Sequence, residues 1–60
     1  MEAGSTVKVY EDPITCKVLE GEAILQSFWN DNGETEQWHV IFTDDVESGT
    51  MSRAINKVNN

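Results

Sequence analysis

The strongest constraint on this chain is a polar segment, residues 30–37, that separates two apolar-rich runs, residues 23–29 and 38–43. Both runs have the length of a strand and contain aromatic and β-branched residues, which favour extended structure. The segment between them contains Asn-Asp-Asn-Gly, residue types that form turns. The pattern predicts a β-hairpin that holds both tryptophans and both phenylalanines of the chain.

The flanking segments predict further strands. Residues 6–10 alternate valine with polar residues, and Pro13 stops that run because proline has no amide hydrogen to donate. Residues 14–20 fit either a short strand or an irregular connection, and Gly21 is a candidate for a bulge or a tight bend. Residues 51–58 fit a strand or a short helix, and the strand-rich context favours the strand.

Residue alternation inside the hairpin predicts the core. Trp38, Val40 and Phe42 share one face of their strand, and we expect them to be buried. Residues 23–29 have no cleanly polar face, which is typical of a strand covered partly on both sides in a bent sheet or small barrel. These patterns predict an all-β fold, a barrel or half-barrel of four to five antiparallel strands.

The length of 60 residues predicts one domain with a small core and marginal stability. Within it we expect residues 1–5 to be a flexible leader, residues 44–50 an acidic turn, and residues 59–60 a tail. The single cysteine excludes a disulfide within the chain and favours a reducing compartment. No apolar run approaches the roughly 20 residues that cross a bilayer, and no signal peptide is recognisable, so we expect a cytoplasmic protein with no membrane partner.

The sequence predicts no metal or other cofactor. Cys16 and His39 are the only soft ligands, too few for a structural zinc site. The Asn-Asp-Asn-Gly segment resembles a calcium loop, but with Gly33 at the sixth loop position the first ligand would be Phe28, which cannot bind a cation. A turn is the better interpretation of that segment.

No catalytic motif is recognisable. Ser27 or Ser48, His39 and Asp44 supply the residue types of a hydrolase triad, but no nucleophile-elbow spacing surrounds either serine. A lone histidine on the polar face of a strand is most often simply exposed to solvent. We interpret Cys16 as a half-buried structural residue, and we expect the protein not to be an enzyme.

Acidic residues dominate the charge, with eleven Asp and Glu against four Lys and Arg and a net charge of −7. This balance disfavours direct binding to nucleic acid, because phosphate contacts need clustered basic side chains. The four basic residues are spread along the chain: Lys8, Lys17, Arg53 and Lys57. The acidic charge serves either solubility alone or the docking of a basic partner.

The order of these features resembles small SH3-like barrels of the Tudor type. The resemblance rests on Gly21-Glu22-Ala23 leading into a strand, a polar hairpin, Trp38-x-Val40-x-Phe42, the acidic turn Asp44-Asp45, and a final strand with Arg53-x-Ile55. It covers residues 7–58 and implies an SH3-like barrel that recognises a protein segment. Readers of the Tudor type use an aromatic cage. Once Trp38 and Phe42 enter the core, only Tyr10, Phe28 and Trp29 are left to form one.

The aromatic residues that the core does not need predict a binding surface. An aromatic at the surface beside carboxylates is typical of a patch that binds a peptide or a cation. We therefore expect a non-catalytic protein-interaction module, a small stand-alone accessory protein with a basic or peptide-like partner. The alternative is that all the aromatics belong to the core. The expected binding residues are Tyr10, Phe28, Trp29, Asp31, Glu34 and Glu36, with Glu11 and Asp12 nearby.

Two other functions remain open. The first is an acidic inhibitor that mimics the nucleic-acid backbone and blocks a DNA- or RNA-binding protein, as small phage-encoded proteins can. Such a mimic needs carboxylates in rows on one face, whereas a peptide-binding module needs only a few beside an aromatic groove. The second is direct nucleic-acid binding, which would require the four basic residues to meet on one face.

Overall fold

The computed structural model describes residues 1–58, and in these residues the chain forms four strands. They are β1 (Thr6–Tyr10), β2 (Leu19–Asp31), β3 (Thr35–Phe42) and β4 (Met51–Asn56). Each strand pairs antiparallel with the next, so the order in the sheet is β1-β2-β3-β4. The sheet curls into a half-barrel, which confirms the predicted all-β fold of four to five antiparallel strands.

Bulges in β2, the longest strand, bend the sheet. Its pairing with β3 shifts between Leu25 and Ser27 and again between Phe28 and Asn30, so that Gln26 and Trp29 are extra residues. A third shift, in the pairing with β1, makes Glu20 extra. A bulge increases the local twist and bends its strand. The mixed polarity of residues 23–29 reflects these interruptions.

The buried side chains lie on one face of the curled sheet, the core face. In β3 the predicted alternation is confirmed, because Trp38, Val40 and Phe42 are all buried. In β2, Ala23 and Leu25 are buried before the first bulge, and every residue after it is exposed. The complete apolar core comprises Val7, Val9, Ala23, Leu25, Trp38, Val40, Phe42 and Ile55.

The connection between β1 and β2 is irregular, which decides between the two structures that its sequence allowed. The Asp12 carboxylate accepts the backbone N–H groups of Ile14 and Thr15, and these hydrogen bonds, with that of Thr15 foremost, lower the pKa of Asp12. Cys16 has a left-handed backbone with φ of 56°. It is exposed, so the prediction of a half-buried cysteine is wrong. The connection is held to β4 by the Asn56 side-chain amide, which donates to the Pro13 carbonyl.

The turns differ in length from the sequence prediction. β2 and β3 extend to Asp31 and Thr35, so the hairpin turn is shorter than residues 30–37, and Gly33 supplies its positive φ of 89°. The acidic turn at residues 44–50 contains a short 3₁₀ helix, Val46–Ser48.

At the N-terminus, Gly4 and Ser5 exchange backbone hydrogen bonds with Leu25 and extend the β1–β2 ladder into the predicted leader. The predicted tail, residues 59–60, lies outside the described residues. Among residues 1–58, no helix has the length and apolar character needed to span a membrane.

Candidate functional site

The exposed aromatic side chains concentrate at one end of the molecule. We call residues 28–37, which comprise the last part of β2, the turn and the start of β3, the hairpin end. Phe28 and Trp29 are adjacent there, and their side chains are 51% and 56% exposed. Side chains in a regular strand alternate between faces, and the bulge at Trp29 changes the pairing at this point. The two rings consequently have different surroundings.

Trp29 lies on the outer face of the sheet, the face opposite the core. Its indole stacks on the His39 imidazole, with ring centroids 6.3 Å apart and an interplanar angle of 25°. The indole N–H donates to the Ser52 hydroxyl oxygen at 3.3 Å, and the Gln37 amide donates to the same oxygen at 2.9 Å. The Ser27 hydroxyl lies 3.1 Å from His39 Nδ1. Residues of three strands therefore hold an exposed tryptophan in one orientation.

Phe28 lies on the core face, at its edge. It is the cross-strand partner of Trp38, and the two rings meet edge to face with centroids 5.7 Å apart. The Trp38 indole N–H donates to Glu36 Oε1 at 2.9 Å. Asp31 is the cross-strand partner of Glu36. The structure thus brings Phe28, Asp31 and Glu36, three of the predicted binding residues, onto one face of the hairpin end.

The carboxylate of Asp31 is already occupied by partners within the chain. It accepts the backbone N–H of Gly33 at 2.9 Å and forms an ion pair with the Lys57 ammonium, also at 2.9 Å. The Gly33 hydrogen bond first, and Lys57 second, lower the pKa of Asp31. Glu34 lies in the turn, where its carbonyl oxygen accepts the backbone N–H of Lys57.

Tyr10 lies away from the other two exposed aromatics. It is paired with Leu19 at the start of β2, whereas Phe28 and Trp29 lie near the end of the same strand. Tyr10 lines a shallow hollow together with Pro13 and Arg53. The predicted residues therefore divide into three places: the core face of the hairpin end, its outer face, and the start of β2.

The structure contains a second surface that the sequence analysis missed. A cleft of about 280 Å³ lies where the start of β2, the end of β3 and the start of β4 meet. We call it the acidic cleft; its lining comprises Glu20, Gly21, Phe42, Asp44, Asp45, Met51 and Arg53. Asp44-Asp45 was the available signal in the sequence, but no local pattern links that pair to Glu20 or Arg53.

An ion pair forms one wall of the acidic cleft. The Arg53 guanidinium donates to both oxygens of Glu20, at 2.9 and 2.7 Å, which lowers the pKa of Glu20 and raises that of Arg53. The guanidinium carbon lies 5.4 Å from the centroid of the Phe42 ring, a cation–π distance. This contact fixes the wall over the edge of the core.

The catalytic and metal-binding arrangements considered from the sequence are only partly assembled. Ser27 and His39 are within hydrogen-bonding distance, but Asp44, the third group of that triad, lines the acidic cleft. Among residues 1–58, no group of three or more His, Cys, Asp or Glu side chains is arranged to hold a metal ion. In these residues, then, neither surface presents an assembled reaction centre.

The class that the fold and these surfaces define is a small all-β half-barrel, compatible with a β-barrel-like fold. Its two distinctive surfaces are an aromatic hairpin end and an acidic cleft. Comparisons of the chain with protein-family models, with curated proteins and with solved structures found no match. The function is therefore inferred from the surfaces themselves.

Proposed function

We propose that this protein is a non-catalytic protein-interaction module that binds a basic segment of a partner protein through its hairpin end. The observation that carries the proposal is the exposure of Phe28 and Trp29, adjacent aromatic residues that are each more than half exposed. Aromatic side chains are enriched among the residues that dominate binding energy at protein interfaces. Two of them side by side on a 60-residue chain are a substantial apolar surface left uncovered.

The fixed orientation of both rings supports the proposal. Trp29 is held by His39 and Ser52, and Phe28 is held against Trp38. A side chain ordered before binding loses less conformational entropy when the partner arrives, so more of the contact energy appears as affinity. Because the rings lie on opposite faces, the partner contacts the hairpin end from both sides.

Charge selects the partner. The net charge of −7 creates a negative potential that attracts basic proteins and repels phosphates. Asp31, Glu34 and Glu36 all belong to the hairpin end, so Lys or Arg side chains of a partner find carboxylates beside the exposed rings. This combination fits a segment that carries both apolar and basic side chains.

We further propose the SH3-like barrel of the Tudor type as the nearest description of the fold. Support comes from the curled four-stranded meander and from the acidic turn between β3 and β4. An aromatic cage of the Tudor type is not part of the proposal, because Tyr10, Phe28 and Trp29 occupy three different places.

The test begins with affinity capture of the partner from the native host, followed by mass spectrometry and measured affinities for variants. We expect Phe28→Ala and Trp29→Ala each to weaken binding by about tenfold or more, because truncating an interface anchor typically costs about 2 kcal/mol. Val18→Ala is the matched control, since Val18 is also half exposed but lies in the β1–β2 connection. Its affinity should equal that of the wild type.

A salt series separates this proposal from the nucleic-acid mimic. A mimic would lose affinity in small steps with each carboxylate removed, and steeply with added salt, while the two aromatic variants would bind like the wild type. That result would replace the interaction module by the mimic. Glu34→Gln combined with Glu36→Gln supplies the charge variant for the comparison.

A further inference from the structure

The acidic cleft has an apolar floor at the edge of the core. The Phe42 ring and the Met51 side chain form this floor, and Gly21 adjoins it without a side chain of its own. A Cβ at Gly21 would lie 3.3 Å from Phe42 Cδ1, so only glycine leaves the strand this close to the ring without displacing it. The cleft therefore offers apolar contact to an atom group that enters from solvent.

The volume of the cleft limits what it can hold. Small-molecule and cofactor sites typically occupy roughly 300–1,000 Å³ and enclose most of their ligand. At about 280 Å³ and open to solvent, this cleft is below that range. A single side chain of a partner protein is the more suitable occupant.

The charges around the cleft are unequal on its two sides. On one side Arg53 and Glu20 neutralise each other. On the other side lie Asp44 and Asp45, and within residues 1–58 neither forms an ion pair with a Lys or Arg. Asp45 accepts a hydrogen bond from the Ser48 hydroxyl, which leaves its negative charge uncompensated. The rim of the cleft consequently attracts a cation.

This charge pattern differs from that of the hairpin end. There, Lys57 neutralises Asp31, and the Trp38 indole occupies one oxygen of Glu36. A partner cation must compete with these internal contacts, whereas it meets no internal cation at Asp44 and Asp45. Of the two surfaces, the cleft rim is the better place for a Lys or Arg side chain.

We propose that the acidic cleft is a second docking site, which takes an aliphatic side chain of the partner onto Phe42 and Met51 while a neighbouring lysine or arginine of the same segment pairs with Asp44 and Asp45. The inference rests on the proposed function, because it assumes a basic partner. It goes further by specifying the segment: an aliphatic residue flanked by basic residues.

Two synthetic peptides test the proposal. The first has one leucine between two pairs of lysines, and the second has serine in place of the leucine. Methionine labelled with ¹³C at its methyl group reports on the cleft through Met51, while Met1, in the N-terminal segment, is the internal reference. We expect saturable movement of the Met51 signal and roughly fivefold tighter binding of the leucine peptide, since partial burial of its side chain favours association.

Two double variants with the same change in charge locate the lysine contact. Asp44→Asn with Asp45→Asn should weaken the binding measured at Met51 by roughly tenfold, as expected when charge pairs are removed from a docking site. Glu34→Gln with Glu36→Gln removes the same number of charges at the hairpin end and should change that binding by less than roughly twofold, the scale of a screened, distant charge. Equal effects of the two variants, or equal binding of the two peptides, would overturn the proposal.

The outcomes also distinguish this inference from the proposed function. If Met51 does not respond while Phe28→Ala and Trp29→Ala weaken binding to the captured partner, the cleft is not a docking site and the hairpin end stands. If Met51 responds as expected while those two variants bind the partner like the wild type, the cleft stands and the hairpin end is wrong.

Discussion

The two tryptophans of this protein lie on adjacent strands and differ almost completely in burial. Trp38 is 4% exposed and Trp29 is 56% exposed. Each indole N–H donates to a side-chain oxygen, and each ring contacts another aromatic ring. What differs is the register: Trp38 follows the regular alternation of β3, whereas Trp29 is the extra residue of a bulge in β2. Position relative to the ladder, rather than hydrophobicity, decides which indole becomes core.

The largest expected effect is that of removing the buried indole. Trp38→Ala should abolish the cooperative thermal transition, because truncating a buried aromatic typically costs about 3–5 kcal/mol, comparable to the whole stability of so small a domain. Circular dichroism during heating measures this. A cooperative transition within a few degrees of the wild type would show that Trp38 does not carry the core.

A smaller effect is expected at Arg53, the cross-strand partner of Trp38. Arg53→Met removes the ion pair with Glu20 and the contact over Phe42, and it should lower the free energy of unfolding by about 1 kcal/mol, the usual scale for partly exposed interactions of this kind. Chemical denaturation provides the measurement. Lys17→Met, a charge removal in the β1–β2 connection, is the control and should leave stability unchanged.

The same ion pair predicts a dependence of stability on pH. Arg53 lowers the pKa of Glu20 in the folded protein below its usual value of 4.5. The stabilisation from Glu20 is therefore complete above about pH 4.5 and is lost as the pH falls through the lower pKa of the folded state. Denaturation midpoints measured between neutral and acidic pH should decrease less steeply in Glu20→Gln than in the wild type. Identical slopes would contradict the assignment.

The smallest expected effect on stability is at the exposed indole. Trp29→Ala should change the free energy of unfolding by less than about 1 kcal/mol, because substitutions of exposed residues are usually within about 0.5 kcal/mol of neutral and only a surface stacking contact is lost. Thermal denaturation measured beside Trp38→Ala gives the comparison directly. A loss for Trp29→Ala close to that of Trp38→Ala would mean that the outer face supports the fold rather than a partner.

Much of the fold could be predicted because regular strands carry their burial in a period of two. Residues 6–10 and the series Trp38, Val40, Phe42 alternate without interruption, and both predictions are confirmed. The choice of a strand over a helix at Met51–Asn56 is also confirmed. It depended on context, since the spacing of residues 51–58 alone allowed either structure.

The candidate site was less accessible to prediction, because it depends on where the period is interrupted. Phe28, Trp29, Asp31, Glu34 and Glu36 could be chosen as binding residues from their types alone, and they do share the hairpin end. Their distribution over two faces could not be predicted, since nothing in residues 23–31 marks Gln26 and Trp29 as the bulged positions.

The sequence by itself determined the elements of this protein: strands of alternating polarity, a Gly-containing hairpin turn, a core face on β3, and a strongly acidic surface. The tertiary structure alone decided where β2 bends, which tryptophan is exposed, and how Glu20 meets Arg53 across 33 positions of the chain. The physical reason is that alternation is a local consequence of strand geometry, whereas bulges and long-range ion pairs depend on how the whole sheet closes over its core.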